Sequence, residues 1–503
     1  MAFVKSVLNW WLKKRIHQIE LFKKYPHEVQ DEVFKKLVST ARDTEWGKKY
    51  DYRSIDSIND YQNRVPISSY EDIKPLIDRL RKGEQNILWP EEITWFAKSS
   101  GTTAGKSKFI PVSPSALDEC HFKGGKDMLG IYLNLFPDSE LFEGKSLVMG
   151  GSRDILEVSN TTYIEGDLSA ILMHNLPFWA QFKRTPSLTI ALMDEWENKL
   201  ELMVESTMSN DVRGISGVPS WMLVFLRRVL EKSGKTNIHD IWPNLEVFFH
   251  GGINFEPYRE QYNSILSPDK IVYSDTYNAS EGFFGIQDQK DNSDLLLMLD
   301  YGVFYEFIPA NDFDPDNPKI VQLADVKIGI NYAIIISTNA GLWRYMIGDT
   351  VVFTCLSPFR IRITGRVKNF LNAVGEELII DNAEKAFSVA CLKTNAIISE
   401  FTAAPLFEND EVVHQWLIEF EKEPDNPDFF NELFDNALKS VNSDYEAKRY
   451  HNLVLKQPII VSLKKGTFYN WMKQRNKLGG QYKVPRLSGS REYVDAILKL
   501  QIN

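Results

Sequence analysis

The sequence predicts an α/β protein of two domains, a large N-terminal one of layered sheets and helices over residues 1–365 and a smaller α+β one over 366–503. Three observations carry this. The chain has 503 residues, and single hydrophobic cores rarely grow past roughly 250–300 residues before a chain divides. In the middle third, short apolar runs alternate with helical patterns, which argues for helices layered on a sheet. After Gly365-Arg366 the texture changes to a strand pair, a helix and a last strand.

Taken in order, residues 1–90 read as helices with Lys and Glu on one face, broken at Tyr25-Pro26 and Val65-Pro66. At the start, Val4, Val7, Leu8, Trp11 and Leu12 recur at helical spacing, and Lys13, Lys14 and Arg15 end the run before a signal-peptide core forms. A helix docked on the protein's own surface is expected there. Ile93-Thr94-Trp95-Phe96-Ala97 reads as a short buried strand leading into a loop of small residues. Ser113-Pro114 supplies a cap and a first-turn proline for a helix over about 115–135. Strands are expected at Ser146–Met149, Glu246–Phe249, Ile271–Ser274 and Tyr332–Ser337, and a helix at Trp221–Leu230. In the C-terminal part, Ala396–Phe401 pairs with His414–Phe420 as a hairpin, Asp428–Ser440 forms a helix and Pro458–Leu463 a strand.

Composition narrows the function. Hydrophobic residues are 43% and charged residues 25% of the chain, the balance of an ordinary soluble globular protein. Lys and Arg number 58 against 68 Asp and Glu, a net charge of −10. Such a surface does not coat nucleic acid, although local groups can still hold a nucleotide. Cys120, Cys355 and Cys391 lie far apart and read as small buried hydrophobes in a reducing cytoplasm. No stretch reaches the ~20 apolar residues of a membrane span, and the eight histidines show no zinc spacing.

The most informative stretch is Lys98-Ser99-Ser100-Gly101-Thr102-Thr103-Ala104-Gly105-Lys106-Ser107-Lys108. Small hydroxylated residues and glycines after a strand let N–H groups and hydroxyls converge on an anion, with lysine adding charge. A P-loop opens straight into a helix, but Lys108-Phe109-Ile110-Pro111-Val112 reads as extended, so a Walker motif is rejected. Asp275-Thr276-Tyr277-Asn278-Ala279-Ser280-Glu281-Gly282 offers an aromatic face suited to a purine and a hard carboxylate suited to Mg²⁺; its structural alternative is a capped strand–helix turn. Gly341-Leu342-Trp343-Arg344-Tyr345-Met346-Ile347-Gly348-Asp349 ends in a carboxylate able to accept two ribose hydroxyls. Gly365-Arg366-Val367-Lys368-Asn369 and Gly480-Gln481-Tyr482-Lys483-Val484-Pro485-Arg486 complete the series.

In this order the stretches resemble the motifs of adenylate-forming enzymes, and their wording is similar to one branch, the Gretchen Hagen auxin-responsive family of acyl acid amido synthetases, in a bacterial-type member. Val65-Pro66-Ile67-Ser68-Ser69-Tyr70, His250-Gly251-Gly252-Ile253-Asn254-Phe255 and Lys465-Gly466-Thr467-Phe468 agree with that branch. The resemblance implies ATP and Mg²⁺ as cofactors, with Ser99, Ser100, Thr102, Thr103 and Lys108 on the phosphates. It places Tyr277 on adenine beside Ser280, Glu281 on Mg²⁺, Asp349 on the ribose and Arg366 near ribose or phosphate. Lys483 is the cation at the α-phosphate, carried by a small domain that swings about Arg366. Departures are Ser107, Asn278-Ala279 and Met346. The implied partners are a small carboxylic acid and an amine, most simply an amino acid; coenzyme A as acceptor, or a non-catalytic nucleotide-binding homologue, is the alternative. The acyl pocket is expected within residues 150–225, including Phe178, Trp179, Val218 and Trp221, and His250 is read as a packing histidine.

Overall fold

The structure, a computed structural model, describes residues 14–99, 108–158, 161–176, 178–252, 255–310, 318–366, 370–371, 373, 376, 378–408, 411–449, 455–478 and 483–502. The expected surface helix over the first dozen residues and the loop residues Ser100, Thr102 and Thr103 lie outside these. The chain divides into two compact units: Met1–Ile253, Ser267–Ile347 and Val351–Arg362 form one, and Asn254–Leu266, Gly348–Thr350 and Ile363–Asn503 the other.

The larger unit is built on a twelve-stranded sheet whose two halves obey different rules. In one half Val272–Ala279, Val247–Gly251, Val212–Gly217 and Lys145–Val148 run parallel, with Arg184–Thr185 at the edge. Parallel neighbours need a crossover, and their two covered faces call for continuous apolar runs. Val247-Phe248-Phe249 is such a run, and the helix Pro219–Ser233 is the crossover before it. That helix starts on a first-turn proline, ends at left-handed Gly234, and buries Trp221, Met222, Phe225, Leu226 and Val229. The other half is largely antiparallel, with Val303–Pro309 paired along its length to Asn331–Thr338. A separate four-stranded sheet has the order Lys108–Val112, Trp95–Ser99, Thr161–Gly166, Arg153–Val158.

The helix expected after Ser113 begins there: the Ser113 hydroxyl accepts from Ala116 N, and Pro114 takes the first turn. Its interior differs from expectation, because Leu117–Phe122 is a π-helical stretch ahead of the α-helix Lys123–Leu135. Cys120, on that stretch, accepts at 3.2 Å from Phe283 N on the neighbouring strand, a tertiary contact with no local sequence signal.

The smaller unit is α+β. Ile397–Glu408 and Glu411–Lys422 form the expected hairpin, with Phe401 opposite Ile418, and Ile459–Leu463 adds a parallel third strand. Side chains alternate across a strand, so this sheet feeds two cores. Trp416, Ile418 and Phe420 face the helices Ile380–Thr394 and Pro427–Val441, where Phe387 stacks on Phe434 with centroids 4.2 Å apart. Ala404 and Leu417 join Phe468, Trp471, Val494 and Ile497 on the other side. Asn254–Leu266 clusters with this unit although it precedes the expected hinge; Gln261 Nε2 donates to Ile398 O at 2.9 Å.

Candidate functional site

The larger unit carries the expected phosphate, adenine and metal groups. Ser99 ends one strand and Lys108 opens the next, directly opposite in an antiparallel pair. The extended reading of Lys108–Val112 holds. Lys108 Nζ lies 5.6 Å from the Tyr70 ring centroid, and Tyr70 Oη accepts from Phe109 N at 2.9 Å. Lys98, next to Ser99, pairs with Asp154.

Tyr277, Ser280 and Glu281 sit on a hairpin. The strand runs to Ala279, Ser280-Glu281 makes the turn, and Gly282–Gln287 returns opposite. This corrects the strand–helix alternative: no helix follows. Glu281 is half-buried at the turn. Ser280 is 5% exposed, and its hydroxyl finds no partner among the described residues, which fits a site completed by a ligand oxygen. Tyr277 is 4% exposed, its ring edge-on to Phe284 at 4.9 Å. His121, on the π-helical stretch, is buried beside Asn278; burial lowers its imidazole to about 4 against the pull of Asn278. Neither His121 nor the π turn could be read from the sequence.

Gly341–Asp349 turns out to have two jobs. Gly341 is left-handed, and a Cβ there would come within 2.8 Å of Leu88 backbone, so only glycine fits. Arg344, also left-handed (φ 43°), is 2% exposed. Its guanidinium makes two 3.0 Å bonds to Glu306 and donates to the carbonyls of Gln62 and Val65 at 2.9 and 2.6 Å. Ser68, in the Val65–Tyr70 approach, bonds this motif through Ser68 N to Arg344 O and Met346 N to Ser68 O, both 2.9 Å. Two stretches distant in sequence are thus one structural piece.

In the smaller unit, Asp349, Arg366 and Lys483 come together. Arg366 Nε meets Asp349 Oδ1 at 2.9 Å, both half-buried. Lys483 is pushed down to about 8, first by desolvation and then, against the pull of Asp349, by Arg366 and Arg486. The side chain itself is exposed, so water offsets part of that desolvation; of the charged neighbours, the two arginines push the same way and Asp349 opposes them. Three groups 134 positions apart in sequence at the extremes share one electrostatic environment.

Among the described residues, no cluster of three or more His, Cys, Asp and Glu side chains could hold a metal ion. Glu281 alone fits Mg²⁺, which dehydrates reluctantly and is held by one or two carboxylates plus substrate phosphates. His250 is 4% exposed, with Nδ1 3.3 Å from Asp275 Oδ1, as befits a packing histidine. Cys120 is buried, its thiol pushed up to about 12 by burial, while Cys355 and Cys391 are half-buried; all three are unpaired. Trp221 packs edge-on against Trp196 at 4.8 Å, Val218 is half-buried, and the Phe178 and Trp179 side chains lie outside the description. Among the described residues, no helix is long and apolar enough to cross a membrane.

Comparison with known proteins finds relatives along most of the chain. The chain is 24% identical to indole-3-acetic acid-amido synthetase GH3.3 of Arabidopsis thaliana, over 91% of this chain and 89% of that protein. It is 25% identical to the 4-substituted benzoates-glutamate ligase GH3.12 of the same plant, over 65% and 66%. In fold it is similar to the AtGH3.15 acyl acid amido synthetase in complex with 2,4-DB, with TM-score 0.82 and 17% identity over 97% and 96% of the chains. A more distant fold likeness is to 2-hydroxyisobutyryl-CoA ligase in its postadenylation state, with TM-score 0.58 and 12% identity over 94% and 91%. The GH3 family N-terminal domain matches residues 15–271, the central domain 296–366 and the C-terminal domain 381–492. With the first of these alone spanning more than half of its length, the chain belongs to the GH3 family.

Proposed function

We propose that the protein is an ATP-dependent, AMP-forming acyl-acid amido synthetase that joins a small carboxylic acid to an amino acid. What most supports this is the gathering of Asp349, Arg366 and Lys483, the groups the resemblance assigns to ribose, phosphate and α-phosphorus.

A carboxylate is a poor acyl donor because its leaving group would be oxide. In the proposed first step its oxygen attacks the α-phosphorus of ATP, pyrophosphate leaves, and an acyl-adenylate forms. Ser99 and Lys108, with Ser100, Thr102 and Thr103, hold the phosphates. Tyr277 and Ser280 hold the base side, and Asp349 takes the ribose hydroxyls while Arg366 steadies that carboxylate. Mg²⁺, when bound by Glu281 and phosphate oxygens, supplies charge neutralisation on the triphosphate. Lys483 stabilises charge gathering at the α-phosphorus, where a preorganised cation outperforms water. The amine then attacks the acyl carbon and AMP departs. No enzyme nucleophile is needed, since the adenylate is already activated.

We place the domain boundary at 365/366 and infer that the domain beyond it moves between the two steps. The cytoplasmic assignment draws on the three unpaired cysteines. We also propose that the chain is a bacterial-type member of its family. The test is incubation with ATP, mixed carboxylic acids and either amino acids or coenzyme A, with products weighed. AMP, pyrophosphate and an amide are expected. A thioester instead would make it a coenzyme A ligase, and ADP with phosphate as sole products would overturn the assignment.

A further inference from the structure

We propose that Tyr258, Glu384, Glu400 and Arg486 form a clamp that positions Lys483 for acyl-adenylate formation. The inference rests on the function proposed above. Arg486 follows Lys483 by three residues and is 8% exposed. Its Nη1 meets Glu384 Oε1 at 2.5 Å, its Nε meets Glu400 Oε1 at 3.1 Å, and its Nη2 donates to Tyr258 Oη at 3.1 Å. Tyr258 closes the ring by donating its own proton to Glu400 Oε2 at 3.1 Å. Burial, then the Glu400 charge, pushes the Tyr258 phenol well above its usual range, so it remains a donor. The guanidinium also lies 4.8 Å from the Phe401 ring centroid.

Three partners on different edges fix a planar guanidinium in position and in rotation, which one ion pair does not. The backbone completes the fixture. Thr402 Oγ1 donates to Pro485 O at 2.6 Å, Ala403 N to Arg486 O at 2.8 Å, and Ser488 N to Ala403 O at 3.0 Å. Residues 485–488 are thus laid alongside the strand Ile397–Glu408, with a parallel bridge at Ala403–Leu487. Lys483 stands two residues before this anchored stretch. Two carboxylates, Glu384 and Glu400, share the charge of the single Arg486 guanidinium. Among the described residues, the charged groups facing Lys483 include Asp349, Arg366 and Arg486.

The full-length chain tests this in two ways. In pyrophosphate-release assays, Tyr258→Phe, which removes both hydrogen bonds of the hydroxyl, should lower the adenylation kcat about tenfold, or ~1.4 kcal/mol, with the ATP KM within twofold of wild type. In a Lys483→Ala background the same change should cost nothing further, because its effect passes through the lysine. An equal loss in both backgrounds, or no loss in either, overturns the clamp. The second readout needs no activity. With lysines ¹³C-methylated, the Lys483 titration midpoint should rise in Arg486→Gln, where two carboxylates lose their cation, and fall in Glu400→Gln. Unmoved midpoints overturn the proposal. If wild type forms no acyl-adenylate from any acid supplied, the assigned reaction fails, and the titration alone still judges whether the clamp governs Lys483.

Discussion

Replacing Arg344 by Met should be among the most damaging single changes in the larger unit. Arg344 and Glu306 are 2% and 1% exposed, joined by two 3.0 Å bonds. Removing the guanidinium leaves a carboxylate in the core with, among the described residues, one remaining donor, Gln62 Nε2 at 2.8 Å. Breaking a buried pair from one side costs about 3–5 kcal/mol, mainly through the stranded charge. The carbonyls of Gln62 and Val65 also lose their donor, at about 1–3 kcal/mol for each buried group left unsatisfied. A loss of at least ~3 kcal/mol is therefore expected. The double variant Arg344→Met/Glu306→Leu removes both charges and should recover a large part of it, with a coupling of about 3 kcal/mol. Urea unfolding followed by tryptophan fluorescence reads this, since Trp343 adjoins the pair; only the transition of the larger unit is compared, because two units need not unfold together. Arg344→Met costing less than ~1 kcal/mol, or strict additivity in the double variant, would refute the reasoning.

Asp349→Ala should weaken ATP and AMP alike by about 1.5–3 kcal/mol, more than tenfold in affinity, because both carry the ribose; calorimetry with AMP checks it, and unchanged binding would reduce Asp349 to a partner of Arg366. Lys483→Ala should slow acyl-adenylate formation by ~10²–10³-fold and spare aminolysis of an acyl-adenylate supplied from outside; equal losses in both half-reactions would contradict a role confined to the first. The rate of adenylation should also fall as pH rises through about 8, where the Lys483 ammonium is lost, and a flat profile to pH 9.5 would speak against it. His121 is held neutral, with its folded value near 4 against 6.5, so the unfolded chain binds the proton first on acidification. Its contribution to stability is present above about 6.5 and lost as pH falls toward 4, on the order of 3 kcal/mol in all. The stability difference between wild type and His121→Gln should shrink across that window, and a constant difference would exclude the histidine as its source.

Elements whose cause is local were legible in the chain. Ser113-Pro114 starts a helix through its own hydroxyl and ring, and His414–Phe420 reads as one arm of the hairpin it forms. The strands Trp95–Ser99 and Lys108–Val112 and the start of the strand Val272–Ala279 follow from similar short-range preferences. What required the fold was every feature whose cause lies far along the chain. The π-helical stretch Leu117–Phe122 meets the neighbouring strand through Cys120 and Phe283 N, a contact made across 163 positions of sequence. Arg344 looked like part of a ribose motif, yet its charge is settled by Glu306, 38 positions away. Asp349, Arg366 and Lys483 were each named from the sequence, but their shared electrostatics were not. Nor did anything near Tyr258 announce Arg486 as its partner, 228 positions on. Local propensity is a property of neighbouring residues and survives in one dimension; the pairing of buried charges is decided only when packing removes water from both partners at once.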